Sequence, residues 1–538
     1  MNPTIQTVLI TGANSALSRA VIASLPESVR VRAVDTRFTA SLPRSLQGIE
    51  GDLRDPEFLT GQLQGVDTVL HFAPLSPLPE SETEAIDIAT RGTYLLMTTA
   101  LEAGVQRLIL GSTLDLFDRL PADWKVSEAW RPRPTPELGQ LVPWLAELSV
   151  RECVRGTGLS ALCLRFGRLV DDAMAASAPY DPRWLHIEDA VAGVQRALDF
   201  AANEPKPRGW SLFHIAAPGD HAKVRPARAV RNWGGAPFGY QPAHDFQAQR
   251  EKAPAPAAPS SVPDWRQILA PPEPISARKI RRVVFFGSGG PVGAAAAEEM
   301  APSYTLRLTD IRPLAEIAAE GKPQSEGAPL PRPLPPPHEN LVVDVRDAEQ
   351  VAAACEGMDA IVNCSVLRHD PTDAFRVNTL GAYHIARAAV QHNIRRVVQT
   401  GPALTLSHDP PDYIWDYDLT GDAPPRPHRE LYAHSKYLGQ EILRVFADYY
   451  DLQVPVLLYC HFVNPELLSR WEWVHPLAVS WRDSARALRR AVETQALERR
   501  YEVFHIGADM PQGVYDNTKA HRMLGWEPQD DLERAWRR

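Results

Sequence analysis

"VVFFGSGGPVGAAAAEEM" occupies residues 283–300, and its reading decides how the rest of the chain is understood. A short apolar run ends in glycines and an alanine-rich helical stretch follows. Gly287, Gly290 and Gly293 fall at the turn between them. Glycine permits a tight strand-to-helix turn and lets a pyrophosphate approach the backbone amides at a helix N-terminus. Asp310, in "RLTDIR", follows about 20 residues later at the end of the next apolar run. A carboxylate there accepts bonds from ribose hydroxyls and repels a 2′-phosphate, so the pattern predicts a dinucleotide site that prefers NAD to NADP.

The same pattern stands earlier in the chain. "VLITGANSALS" (8–18) matches "VVFFGSGGPVG" (283–293), and Asp35 in "RAVDTR" answers Asp310. "GDLRD" (51–55) answers "VDVRD" (343–347), "VDTVLHFAP" answers "MDAIVNCSV", and "WSLFHIAA" (210–217) answers "YEVFHIGA" (501–508). "RPTPELGQLVP" (133–143) aligns with "RPHRELYAHSK" (426–436). The chain is thus a duplication of one unit of roughly 250 residues. The units expected are 1–245 and 280–538. The Pro/Ala-rich stretch 246–279 between them cannot bury a core and reads as a linker, and the proline-rich 321–338 reads as a surface insertion. Within each unit, near-continuous apolar runs such as "TVLITG" and "RLILGS" alternate with helical stretches. Strands of that kind are buried on both faces, so each unit is expected to be an α/β, doubly wound parallel sheet with a small C-terminal lobe.

Composition narrows the function. In 538 residues the chain has 44% hydrophobic and 23% charged residues, ordinary for a soluble protein, and a net charge of −9. That balance argues against nucleic acid or an anionic membrane as partner. Five cysteines (Cys153, Cys163, Cys355, Cys364, Cys460) without metal-like spacing read as reduced core residues of a cytoplasmic protein. No apolar run reaches membrane-spanning length, and the start has no signal-like pattern. Sixteen histidines form no metal motif, so no metal is expected; His186, His214 and His505 read as strand or core residues.

"ELYAHSK" (430–436) holds Tyr432 and Lys436 four apart, on one face of a helix. A cation beside a phenol favours the phenolate, which can serve as a proton-transferring base. In this order the pieces resemble the extended short-chain dehydrogenase/reductases, the NAD-dependent epimerase/dehydratase superfamily. The marks in the second unit are the glycine loop, "DVRD", "NCS" with Asn363, Asn378 in "FRVNTLGAYHIARAAV", "YAHSKYLGQEI" and the closing "DNTKAHRMLGWEPQDDL". The last segment leans toward the uronate dehydrogenase branch. The resemblance implies NAD as cofactor and a sugar or sugar nucleotide as substrate. It implies that Tyr432 is the acid/base and that Lys436 tunes it and holds the nicotinamide ribose. Asn378 would support the site, Asp344 with Val345 would border the adenine, and Gly287, Gly290, Gly293, Asp310 and Asn363 would line the cofactor.

Two sets of departures follow. The family's catalytic serine aligns with Pro402, and Tyr459 stands where an arginine is usual, so Thr400 or Thr405 would have to supply the hydroxyl. The first unit keeps Gly12, Asp35, Ser112, Thr113 and Arg165 but has Ser15 and Ser18 in place of two glycines, Gly139 at the tyrosine and Pro143 at the lysine. It is expected to be catalytically inactive, with a nucleotide retained through Gly12 and Asp35 as one option. Two readings remain: an NAD-dependent oxidoreductase or epimerase working through the second unit, or an inactive NAD-binding scaffold or sensor. Family members commonly dimerise, so the two units are expected to pair within the chain, with homo-oligomers also open. "WEWVHPLAVSW" (471–481) would line a sugar pocket or pack the small lobe, and the acidic loop "DYIWDYDLTGD" (412–422) disfavours an anionic sugar unless an arginine is near.

Overall fold

Strands β1 (Thr7–Thr11) and β10 (Arg282–Phe286) are almost wholly buried, as runs such as TVLIT and RVVFF require of strands covered on both faces. The computed structural model describes residues 5–121, 124–203, 209–218, 238–253, 270–276, 279–406, 419–470, 474–495, 497–511, 513 and 515–533. The chain divides into two compact units, Met1–Gln267 and Ile268–Arg538.

In the first unit, β1 is followed by α1 (Ala16–Ser24), β2 (Arg30–Asp35), β3 (Ile49–Glu50), β4 (Thr68–His71), α2 (Thr93–Glu102) and β5 (Arg107–Thr113). Then come α3 (Leu138–Val154), β6 (Ser160–Phe166), β7 (Arg168–Val170), β8 (Trp184–His186), α4 (Ile187–Asn203) and β9 (Gly209–Ile215). The sheet order is β3-β2-β1-β4-β5-β6-β9. The second unit repeats it. After β10 come α5 (Pro291–Met300), β11 (Thr305–Asp310), β12 (Glu339–Val342), β13 (Ala360–Asn363), α6 (Gly381–Gln391) and β14 (Arg396–Pro402). They are followed by α7 (Leu431–Tyr450), β15 (Val454–Tyr459), β16 (His461–Val463), β17 (Ala478–Ser480), α8 (Trp481–Glu493) and β18 (Tyr501–His505). Its sheet runs β12-β11-β10-β13-β14-β15-β18. The ladders are parallel, for example Thr11 beside His71 and Phe286 beside Asn363. Each chain path reverses direction beside its first strand, between β1 and β4 and between β10 and β13. A crevice opens at the carboxyl ends of strands at such a point.

Alanine-rich α5 lies close on its sheet because Gly293 and Ala294–Ala297 are small and buried. Each unit also has a two-stranded parallel sheet, β7–β8 or β16–β17, with a small apolar cluster of its own. The stretch read as a linker is not uniform: Gln247–Lys252 is a short helix. Residues 270–276 are tied to the second unit, where Ile275 N donates to Gln495 O (2.9 Å) and Arg500 to Ala270 O (3.0 Å). The proline-rich insertion likewise packs, with Ala328 against Trp481 and Ala485.

Candidate functional site

Three glycines of the second unit have three different physical causes. Gly287 adopts φ +80°, and a Cβ there would lie 2.6 Å from Ser365 N. At Gly293 a Cβ would come within 2.6 Å of Gly287 O, so glycine lets the helix meet the turn. Gly290 caps α5 with φ −78° and ψ 158°, ordinary for any residue, and a Cβ would touch only Gly287 O at 3.6 Å. Nothing in the fold demands glycine there, and its absent side chain leaves the helix N-terminus open to close approach. Gly289, absent from the trio read in the sequence, donates its amide to Asp310 Oδ2 (2.8 Å), and a Cβ would sit 2.7 Å from the same oxygen. Ile311 N donates to Asp310 Oδ1 (2.9 Å), while burial pushes the Asp310 carboxyl up. These residues fit a dinucleotide.

Helix α7 carries Tyr432 and Lys436. Glu430 caps it, accepting from Tyr432 N (3.1 Å) and Ala433 N (2.6 Å), which fixes the turn that bears the phenol. Lys436 is 2% exposed and its Nζ donates to Ser365 O at 2.6 Å. Burial depresses its pKa to about 7. Its neighbour Ser435 receives Asn378 Nδ2 (2.9 Å), and Asn378 also donates to Leu367 O (2.7 Å). Asn378 belongs to a π-helical turn, Phe375–Leu380, that presses on α7 so closely that a Cβ at Gly439 would lie 2.2 Å from Asn378 O. Lys436, Ser365, Asn378 and the glycine turn are therefore one construction around the crevice. Asn363 completes it, accepting from Ser365 Oγ (2.6 Å) and donating to Gln399 (2.9 Å). Asp344 is gripped by the Arg346 guanidinium (2.8 Å), and Val345 is buried and accepts at its carbonyl from His384 Nδ1 (2.8 Å).

Tyr432 has a different cation from the one its spacing suggests. The Arg368 guanidinium lies 4.7 Å from its ring centroid. Burial raises the phenol's pKa and Arg368 opposes that rise. Arg368 was not singled out in the sequence, although it lies three residues after Ser365 in the loop leaving β13.

The hydroxyl expected of Thr400 or Thr405 is committed elsewhere. Thr400 Oγ1 donates to Asn363 O (2.9 Å) and Thr405 Oγ1 to Pro402 O (3.0 Å). In the ladders Pro402 pairs with Tyr459 as Thr113 pairs with Phe166. Arg165 pairs with Ser112 and thus corresponds to Leu458, not to Tyr459, which corrects the alignment of the arginine position by one residue. The Tyr459 hydroxyl donates to Ser484 O (3.3 Å).

The first unit ties up the motif residues of its own site while leaving a cleft beside them. Gly12 has φ +68°, and Asp35 accepts from Asn14 N (2.9 Å) and Thr36 N (2.8 Å), so the frame of the turn persists. Ser15 caps α1 by accepting from Ser18 N (3.1 Å), and Ser18 Oγ donates to Gly12 O (2.7 Å). The Ser15 hydroxyl thereby takes up a helix N-terminal amide of the kind that binds a pyrophosphate. His71 stands in the position of Asn363, between Thr11 (2.7 Å) and Thr93 (3.0 Å), and burial depresses its pKa to about 3. Ser112 is bonded to Glu147, whose carboxylate also pairs with Arg165 at 2.7 Å. Gly139 and Pro143 lie in α3 as expected. A cleft of about 620 Å³, open mouth included, remains beside Gly12, Asp35 and His71.

Elsewhere His214 is buried and His505 Nδ1 donates to Leu419 O (2.9 Å), both in the interior. No motif joins His186, Glu188 and His244 in the sequence, yet the fold brings their ligand atoms within 4.8 Å of one another. Separation in sequence hid them. Trp481 stacks on Phe462 at 4.4 Å, in packing; Trp471, Trp473 and residues 412–418 lie outside the described residues. Among the described residues no helix is long and apolar enough to cross a membrane.

Comparison with known proteins places the chain in a family. The model of the NAD dependent epimerase/dehydratase family matches residues 8–137 and 283–471, more than half of the chain. The chain belongs to that family, whose cofactor is NAD. It is similar to a uronate dehydrogenase of Pseudomonas putida, 24% identical over 260 residues, covering 47% of this chain and 85% of the relative. It is also similar to an NAD-dependent glucose-6-phosphate dehydrogenase of Haloferax volcanii, 26% identical over 263 residues, covering 46% and 93%. A solved uronate dehydrogenase from Agrobacterium tumefaciens complexed with NAD is 23% identical, with a TM-score of 0.39, covering 48% of this chain and 88% of that one.

Proposed function

We propose that the protein is an NAD-dependent oxidoreductase or epimerase acting on a sugar or sugar nucleotide through its second unit. The observation that carries this is Lys436: a buried ammonium, bonded to the carbonyl of Ser365, which itself abuts Gly287 of the glycine turn. Burying such a group without a carboxylate is costly, and the ribose hydroxyls of a dinucleotide would give it further partners. Gly287, Gly289, Gly290, Gly293 and Asp310 would hold the pyrophosphate and adenosine, with Asp344 and Val345 beside the adenine. NAD supplies the hydride-accepting nicotinamide. Tyr432 exchanges the proton of the substrate hydroxyl, and Arg368, on its ring face, stabilises the phenolate against burial. Arg368 is exposed and also supplies the arginine that an anionic sugar would need.

The opposite reading, an inactive NAD-binding scaffold or sensor, draws on Pro402 and on the two threonine hydroxyls already spent on backbone carbonyls. Turnover separates the two. NADH formation with a panel of sugars, sugar acids and sugar phosphates should appear in the wild type and fall about 10²-fold or more in Tyr432→Phe. NAD binding without turnover on any of them would favour the scaffold. We further propose that the two units pair within one chain, which cross-links between them in a chain of monomer mass would support, and that the five cysteines, none in a disulfide and only Cys460 exposed, serve in a reducing compartment such as the cytoplasm.

A further inference from the structure

Two histidines and three carboxylates converge in the small lobe of the first unit, and none of them lines the cleft beside Gly12. His186 closes β8 and is 4% exposed. Glu188 lies in the first turn of α4, and His244 comes from residues 238–253. Each imidazole has a carboxylate at its outer nitrogen: Asp172 Oδ1 lies 3.5 Å from His186 Nε2, and Asp189 Oδ2 lies 3.3 Å from His244 Nδ1. Each inner nitrogen faces one shared oxygen. Glu188 Oε2 is 4.0 Å from His186 Nδ1 and 3.6 Å from His244 Nε2.

We propose that His186, Glu188 and His244 bind a divalent transition-metal ion of the zinc class. Two imidazoles and a carboxylate are a donor set that suits zinc, and Asp172 and Asp189 lie beside far nitrogens that have no hydrogen-bond partner here, a short move from the bond that fixes a ligating ring's orientation and tautomer. Ligand atoms around tetrahedral zinc are roughly 3.3 Å apart, so the two Glu188 separations of 4.0 and 3.6 Å need to close by about 0.7 Å or less, and no ligand atom, all lying within 4.8 Å of one another, by more than about 1.5 Å. Glu188, with 75% of its side chain exposed, is free to make that move. The rings now stack at 3.8 Å with an interplanar angle of 23°, and a metal would displace the weak bond from Glu188 N to His186 Nδ1 (3.3 Å) and tilt His244. Asp189, held by Ala243 N (2.8 Å) and His244 N (3.0 Å), keeps His244 in reach throughout.

The fold does not require this cluster. By strand register His186 corresponds to Ser480 of the second unit, since Val170 pairs with His186 as Val463 pairs with Ser480. Ser480 simply caps α8 by accepting from Asp483 N (2.9 Å). Phe246, two residues beyond His244, packs on Trp184 at 5.5 Å, so the same segment already has an apolar anchor. The metal acts as a staple that pins residues 238–253 to β8 and α4, with water in the remaining coordination positions.

The test uses the full chain, made without a histidine tag and stripped with a chelator. Calorimetric titration with Zn²⁺ should give one ion per chain at a Kd of about 10 μM or tighter, and Co²⁺ should give the visible absorption of a low-symmetry N/O site. His244→Ala and Glu188→Gln change side chains that are 33% and 75% exposed, so folding is preserved. Each should weaken Zn²⁺ binding by about tenfold or more while leaving NAD titration unchanged. Absence of Zn²⁺ and Co²⁺ binding, or binding of undiminished affinity in both variants, overturns the proposal.

Discussion

Replacing Lys436 by methionine should make the protein more stable and less able to bind NAD. The side chain keeps its length and loses its charge. In the fold, burial lowers the lysine's pKa to about 7 from an ordinary 10.5, and no carboxylate bonds its ammonium, only Ser365 O. Between those two values the unfolded chain binds more protons than the native one, so the penalty is largest below pH 7 and fades as pH rises toward 10.5. Linkage puts it at about 4 kcal/mol at pH 7 and about 2 kcal/mol at pH 9. Methionine leaves the Ser365 carbonyl without its donor, a loss of about 2 kcal/mol. The variant should therefore gain about 2 kcal/mol at pH 7, which for a unit of this size raises Tm by about 4–8 °C. The advantage should vanish near pH 9 and reverse above it. Calorimetric melts of both proteins from pH 6 to 10, without NAD, measure the difference directly. A variant that melts lower at every pH, or a difference that ignores pH, would refute the account of Lys436 as an uncompensated buried cation.

Other expectations concern the turn and the missing hydroxyl. Gly290→Asp should abolish NAD binding by calorimetry yet leave urea unfolding within about 0.5 kcal/mol, because a side chain there meets no close neighbour. Gly293→Ala should do the reverse in part, costing about 1–3 kcal/mol in the same unfolding experiment, since its Cβ would strike Gly287 O. Pro402→Ser fits the backbone at φ −80° and ψ 147°. It should raise turnover on whichever sugar is oxidised by about tenfold or more, and an unchanged rate would remove that position from the chemistry.

The duplication shows what drift does to a nucleotide site while the sheet survives. In the second unit the helix N-terminus is left uncovered at Gly290. In the first, Ser15 and Ser18 answer the same backbone groups internally. Likewise Ser112 and Arg165 survive as letters of the motif, but Glu147 has taken both into a buried cluster, so they contribute to the interior of the unit and not to a reaction. A buried Arg–carboxylate pair of this kind is far more costly to break than to leave in place.

Local periodicity and spacing were enough for the repeat, the parallel doubly wound sheets, the glycine turn with its acid, and the shared face of Tyr432 and Lys436. These depend on residues near one another in the chain, where strand and helix geometry dictate direction. Partners across long separations were decided only by the tertiary structure. Arg368 reached Tyr432, Lys436 reached Ser365 across 71 positions, Thr400 turned to Asn363 O, and His244 met His186. A side chain's role follows from whichever donors, acceptors and charges surround it after packing, and packing brings together groups whose distance along the chain carries no signal.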